Sequence, residues 1–181
     1  MESRHKTRIM VTRRWTEAVY TELAERYDAR LNQEDRELSA EDIVAGCEGV
    51  QVLCPTTMDA IDAALIARLP DSVRLIAGCG AGTEHIDVAA ALKRHILVSN
   101  TPGAVTEDTA DIAFALMLAA CRRLVHGDNH LRAGRWDGVR IDEPLAGVSV
   151  CGSTIGIVGL GQIGRAAVSY THLPLPTNRE V

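Results

Sequence analysis

The sequence predicts an α/β protein built on a parallel sheet. Three observations carry that expectation. Four short apolar runs alternate with helical patterns along the first hundred residues. The runs are apolar throughout instead of alternating with polar residues, as strands covered by helices on both faces are. Glycine turns stand at strand ends, where sheets of this kind bind ligands.

The elements follow in order. Residues 8–12 (RIMVT) form the first strand, and residues 16–27 carry Ala18, Val19, Leu23 and Ala24 at helical spacing. Ser39 is an N-cap, with Glu41 and Asp42 in the first turn of a helix that stops near Gly46. Residues 50–54 (VQVLC) form the second strand, and residues 59–69 form a helix stopped by Pro70. Residues 73–77 (VRLIA) form the third strand and run straight into GCGAG. Asp87 caps a short helix through Leu92, and residues 96–99 form the fourth strand.

After the turn NTPGAV the pattern predicts one long helix over 106–126. Thr106 is its N-cap, Glu107, Asp108 and Asp111 lie at its positive end, Arg122, Arg123 and His126 at its negative end, and Gly127 is its C-cap. Its centre, IAFALMLAA, is apolar on every face and predicts burial all round, at a domain junction or in a subunit interface. Residues 128–147 read as a polar arm or linker.

The bulk properties narrow the classes. The 181 residues are 46% hydrophobic and only 3% aromatic, so the core is aliphatic. A net charge of -5 with no basic stripe argues against nucleic acid as partner. Cys47, Cys54, Cys79, Cys121 and Cys151 are odd in number and contain no CxxC pair, which suggests neither a metal site nor a disulfide framework and fits a cytoplasmic setting. No apolar run is long enough to span a bilayer, so no membrane is expected as partner.

A second strand–turn–helix unit starts at residue 154. TIGIV reads as a strand, Gly159-Leu160-Gly161-Gln162-Ile163-Gly164 follows at once, and Arg165-Ala166-Ala167 continues as helix. A dinucleotide pyrophosphate needs that order. The first glycine permits the tight turn, the second lets backbone approach phosphate, the third lets helix and strand pack closely, and the helix-start N–H groups face the anion. The acidic residue that grips a ribose, roughly 20 residues further on, falls past the chain's last residue. Glu180 comes nearest, in a segment (THLPLPTNREV) whose two prolines suit no central strand.

Taken in order, LIAGCGAGTEHIDVAAALKRHILVSNTPGAVTEDTADIAFALMLAACRRL, then RAGRW, then TIGIVGLGQIGRAA resemble the D-isomer-specific 2-hydroxyacid dehydrogenases, most of all the glyoxylate/hydroxypyruvate reductase (D-glycerate dehydrogenase) branch. The resemblance covers residues 8–167. It implies a flavodoxin-like substrate domain over 1–100, incomplete because that domain ends in a C-terminal helix. It also implies the first part of a Rossmann NAD(P)-binding domain over 101–167, and leaves 168–181 as an anomalous tail. It implies reduction of a small 2-keto acid to the D-2-hydroxy acid with NAD or NADP, and a homodimer formed through helix 106–126 and the arm to Trp136.

Carried over by position, Gly80, Ala81 and Gly82 match the loop that holds the substrate carboxylate on backbone N–H groups, although the family has a bulkier residue where Ala81 stands. Thr109 matches a cofactor contact, and Gly159, Leu160, Gly161, Gln162, Ile163 and Gly164 match the pyrophosphate turn. The family's catalytic Arg, Glu and His lie beyond residue 167 and have no counterpart here; His172 matches nothing. The chain therefore reads as the N-terminal fragment of a reductase, inactive alone. A non-catalytic NAD-sensing or dimerising module of the same fold is the alternative.

Other residues carry plainer expectations. His85 reads as a turn residue bonded locally, Cys79 as a small buried hydrophobe, Phe114 and Met117 as core, and Arg122 and Arg123 as a helix-end charge pair. Trp136 reads as an interface anchor, or else as the end of a packed arm. Order is expected to weaken after residue 165, and the strand over 154–158 is expected to lack a neighbour on one side.

Overall fold

The computed structural model describes residues 6–138 and 146–170. The chain divides into two compact units, Met1–Ala104 and Val105–Val181.

The first unit alternates strand and helix: β1 (Arg8–Val11), α1 (Glu17–Arg26), β2 (Asp28–Leu31), α2 (Ala40–Gly46), β3 (Val52–Cys54), α3 (Ala63–Arg68), β4 (Leu75–Ala77), α4 (Val88–Lys93) and β5 (Leu97–Ser99). All five strands are parallel, in the order β2-β1-β3-β4-β5. This is the doubly wound flavodoxin-like arrangement, whose order reverses between β1 and β3. Leu53, Ile61, Ile66 and Ile76 are fully buried between the sheet and α2, α3 and α4. Each such side chain contributes about 1.5–3 kcal/mol. The opposite face packs Ile9, Val11 and Cys54 against Tyr20 of α1.

The helix ends are set by local chemistry. Ser39 and Asp42 form a reciprocal capping box at α2, and the Asp62 and Asp87 carboxylates accept the Leu65 and Ala90 N–H groups at α3 and α4. Arg94 closes the far end of α3 by donating Nη1 to the carbonyls of Ile66 and Leu69.

Two expectations for this unit change. β2 (DARL) is an additional strand at the sheet's edge, half-buried at alternate residues, so it lacks the continuous apolar run that marks its neighbours. α3 starts at Ala63 instead of residue 59, because the Asp59 carboxylate is engaged with Thr12 and Thr56 and holds residues 55–62 as a turn.

The second unit contains α5 (Thr106–Cys121), α6 (Leu124–Arg132) and α7 (Gln162–Ser169). The expected helix over 106–126 is two helices. Arg123 adopts a left-handed conformation (φ 52°) between them, and Gly127 lies inside α6 instead of capping. Val105, not Thr106, is the N-cap of α5. Burial all round does not hold within this chain: Ala110 is the one buried residue of α5, while Ile112, Leu116 and Leu118 are exposed and Phe114 and Met117 are half-buried. Residues 154–158 form no strand, since no other strand among the described residues of this unit offers a hydrogen-bonding partner. Helical order continues past 165, through Ser169, and Tyr170 stacks on Phe114 with ring centroids 5.0 Å apart. Residues 171–181 of the anomalous tail lie outside the described residues.

Candidate functional site

Polar groups gather at the carboxyl ends of β1, β3 and β5. At the β1/β3 switch point the Thr12 hydroxyl donates to Asp59 Oδ2 at 2.6 Å. The same oxygen accepts the Thr56 N–H at 2.8 Å and the Thr56 hydroxyl at 3.1 Å. Thr12 and Asp59 are both buried, so this carboxylate ties two strand ends together and is occupied in doing so.

The loop after β4 lies next to that junction. Its start is fixed by the Cys79 N–H donating to the Pro55 carbonyl at 2.8 Å. Two successive loop carbonyls are then held by the segment after β5: Gly80 O accepts the Thr101 N–H at 2.9 Å, and Ala81 O accepts Asn100 Nδ2 at 2.7 Å. The N–H groups of Gly80, Ala81 and Gly82 have no partner among the described residues. The loop thus spends its acceptors internally and keeps its donors, which suits an anion.

The residue types follow from close approach. A Cβ on Gly80 would stand 2.5 Å from Thr57 Cγ2, and one on Gly82 would collide with the Glu84 carboxylate. That carboxylate stands against the loop and opposes an incoming anion. His85 bonds through its main chain, its carbonyl accepting the Ile61 N–H at 2.8 Å, but its imidazole Nε2 is buried without a partner; the local side-chain bond expected for it is not made. Cys79 is exposed, not buried, because β4 has ended and the residue already belongs to the loop.

In the second unit the glycine turn has the backbone its sequence demands. Gly159 has φ +92°, a conformation reserved for glycine. A Cβ on Gly164 would collide with the Gly159 carbonyl oxygen, whereas one on Gly161 would meet nothing within 4 Å. The first and third glycines are therefore structural, and the second faces open space. Gly161 is the N-cap of α7, so the N–H groups of Gln162, Ile163 and Gly164 lack intrahelical acceptors. Leu160 and Ile163 are solvent-exposed. A cradle with an open second glycine and free first-turn donors fits a diphosphate.

The start of α5 reaches the same turn. The Thr106 hydroxyl donates to Gln162 Oε1 at 3.3 Å, and the Thr109 hydroxyl donates to the Val105 carbonyl at 2.6 Å. Thr109 thus lies in the unit of the glycine turn, with its hydroxyl proton committed to its own helix. Sequence reasoning missed Asn100 and the Thr12–Asp59–Thr56 junction. The signal was a polar residue one or two positions after β1, β3 and β5, at Thr12, Thr56 and Asn100.

The chain is similar to known proteins over most of its length. The family model described as "D-isomer specific 2-hydroxyacid dehydrogenase, catalytic domain" matches residues 9–173. A glyoxylate reductase of Korarchaeum cryptofilum is 38% identical over 161 residues, covering 89% of this chain and 48% of that protein. A D-isomer specific 2-hydroxyacid dehydrogenase from a Polaromonas species superposes with a TM-score of 0.82 at 36% identity, over 91% of this chain and 51% of that one. An NADPH-dependent glyoxylate/hydroxypyruvate reductase from Sinorhizobium meliloti, solved with NADP and malonate, gives a TM-score of 0.76 at 30% identity, over 92% and 50%. The chain spans about half the length of the curated relatives it matches.

Proposed function

The chain belongs to the D-isomer specific 2-hydroxyacid dehydrogenase family, and from that premise we propose that it supplies two anion sites of an NAD(P)-dependent reductase. That enzyme reduces a small 2-keto acid of the glyoxylate or hydroxypyruvate type to the D-2-hydroxy acid. The observation that carries the reading is the pair of anchored carbonyls at Gly80 and Ala81, which leaves the loop's N–H groups unpaired at the carboxyl edge of a doubly wound sheet.

The residues divide the work. The amides of Gly80, Ala81 and Gly82 bind the substrate carboxylate. The turn from Gly159 to Gly164 and the start of α7 bind the pyrophosphate of NAD or NADP, with Leu160 and Ile163 lining it and Thr109 on α5, one turn after the Thr106 that donates to Gln162. The nicotinamide, when bound, supplies the hydride. Among the described residues no histidine imidazole is hydrogen-bonded to a carboxylate, so the oriented acid that must deliver the proton is not assembled here. The 181 residues alone are therefore expected to bind and not to turn over.

The partner we propose is a second copy of the chain, with no nucleic acid or membrane involved and a cytoplasmic setting. The exposed apolar side chains Ile112, Leu116 and Leu118 of α5, Leu124, Val125 and Leu131 of α6, and Trp136 support it, since single exposed leucines are ordinary but a run along two consecutive helices is not. No described helix is long and apolar enough to cross a membrane.

The test is a titration of the purified chain followed by amide NMR. Glyoxylate is expected to move the Ala81 and Gly82 peaks, and NADPH the Gly161, Gln162 and Ile163 peaks, with no enzyme-dependent loss of nicotinamide absorbance. Sustained turnover refutes the division of labour. Peaks that stay put under both ligands refute the two anion sites and leave the dimerising module.

A further inference from the structure

We propose that Asn100 is a positioning residue that sets the polarity of the Gly80–Gly82 loop: it holds the Ala81 carbonyl on one side and so turns the Gly82 N–H to the other. The inference rests on the reading of that loop as a carboxylate site.

The argument starts from the peptide unit. In a trans peptide the C=O and the following N–H are fixed in one plane and point in opposite directions. The Ala81 carbonyl and the Gly82 N–H belong to one unit, and the Gly80 carbonyl and the Ala81 N–H to the one before. Anchoring Gly80 O on the Thr101 N–H at 2.9 Å and Ala81 O on Asn100 Nδ2 at 2.7 Å therefore fixes two successive N–H groups on the side away from residues 100 and 101. Without the second anchor the Ala81–Gly82 unit rotates at low cost, because glycine flanks it on the C-terminal side and restricts ψ and φ least. A rotated unit presents a carbonyl oxygen where the carboxylate must sit and turns attraction into repulsion.

The two anchors differ in a useful way. Thr101 acts through its main chain and no substitution short of proline removes it. Asn100 acts through its side chain, which is exposed, so its loss leaves the core untouched. Aspartate at this position has the same shape, lacks the donor, and sets a negative oxygen against the Ala81 carbonyl.

The experiment uses the 181-residue chain, N100D and N100A, with oxamate as the probe. Amide spectra are recorded without ligand and through a titration. In the ligand-free state the Ala81 and Gly82 peaks are expected to move in both variants, while peaks of β1, β3 and α2 stay in place. The Asn100 side-chain amide in the unsubstituted chain is expected to show a through-hydrogen-bond coupling to the Ala81 carbonyl carbon. Oxamate affinity is expected to fall about tenfold in N100D and less in N100A. If the unsubstituted chain binds oxamate without shifting Ala81 or Gly82, the carboxylate reading fails. If the ligand-free Ala81 and Gly82 peaks of N100D coincide with those of the unsubstituted chain, or its oxamate affinity stays within twofold, the role of Asn100 is overturned whatever else the titration gives.

Discussion

Thr12 and Asp59, 47 residues apart in sequence, share a 2.6 Å hydrogen bond at the point where the strand order of the sheet reverses. The carboxylate oxygen that accepts it also accepts both donors of Thr56. One buried atom thus locks the end of β1 to the turn after β3, and the methyl of Thr57 in that turn stands directly against Gly80. Asp59→Ala takes the shared acceptor from three donors, the buried Thr12 hydroxyl and the half-buried Thr56 N–H and hydroxyl, and is expected to cost about 2–3 kcal/mol. The Thr12 hydroxyl keeps the Cys54 carbonyl as a second acceptor at 3.3 Å, so adding Thr12→Val to Asp59→Ala is expected to restore little of the loss. Urea unfolding of the single and double variants checks this. A D59A midpoint equal to that of the unsubstituted chain contradicts the account.

Acid reaches the fold through a different carboxylate. Asp42 closes the capping box of α2 and pairs with Arg36 Nη1 at 2.9 Å. The Arg36 hydrogen bond, then those from Ser39, lower its pKa from the usual 3.8 to about 2. A carboxyl group depressed in the folded state contributes stability that is complete above its unfolded pKa and is lost as the pH falls through the folded value. Its contribution is therefore expected to be whole above about pH 4 and to disappear towards about 2. Asp42→Asn should flatten the pH dependence of the urea midpoint in that window and nowhere above it.

The thiols separate by burial. Desolvation pushes Cys47 up to about 12 and Cys54 up to about 11, the latter helped by Cys79. At pH 8 about a thousandth or less of either is thiolate. Iodoacetamide is expected to label exposed Cys79 and Cys151 first, half-buried Cys121 more slowly, and Cys47 and Cys54 only after unfolding. Peptide mapping of a timed reaction decides it; labelling of Cys54 as fast as Cys79 would show that the end of β3 opens in the native state.

What the sequence made legible, and what it hid, separates along physical lines. The central strands were visible because burial on both faces leaves an uninterrupted apolar run, as in the segments around Leu53 and Ile76. β2 was hidden because an edge strand is half-wetted, and Asp28-Ala29-Arg30-Leu31 carries charge at alternate positions. The start of α3 was misplaced because nothing local reveals that Asp59 serves a threonine 47 residues away. The break after α5 was hidden by Arg123, a residue that rarely takes positive φ. Of the site, the small residues of Gly80-Ala81-Gly82 and the glycines from 159 to 164 were readable because they stand together directly after apolar runs; Gly159 is required by its own positive φ, Gly164 by the Gly159 carbonyl against it, and Gly80 by the Thr57 methyl. Asn100 was not, because its role exists only across the gap between β4 and β5.

The glycine turn offers the sharpest separation of structure from function. Gly164 lies against the Gly159 carbonyl with no room for a methyl group, while the Cβ position of Gly161 is open. Gly164→Ala must push the start of α7 away from the turn, and is expected to lose the α7 amide pattern and the Phe114–Tyr170 stacking with it. Gly161→Ala meets no protein atom, costs α7 about 1 kcal/mol because alanine is a poorer N-cap than glycine, and is expected to keep the native amide spectrum. Its methyl group does occupy the space into which a diphosphate would settle. NADPH affinity is therefore expected to fall in G161A at unchanged fold, on the order of tenfold or more, since a phosphate displaced from the N–H groups of a helix start loses charge-assisted hydrogen bonds. Unchanged NADPH binding in G161A would mean that the open face of the turn is not where the cofactor lies.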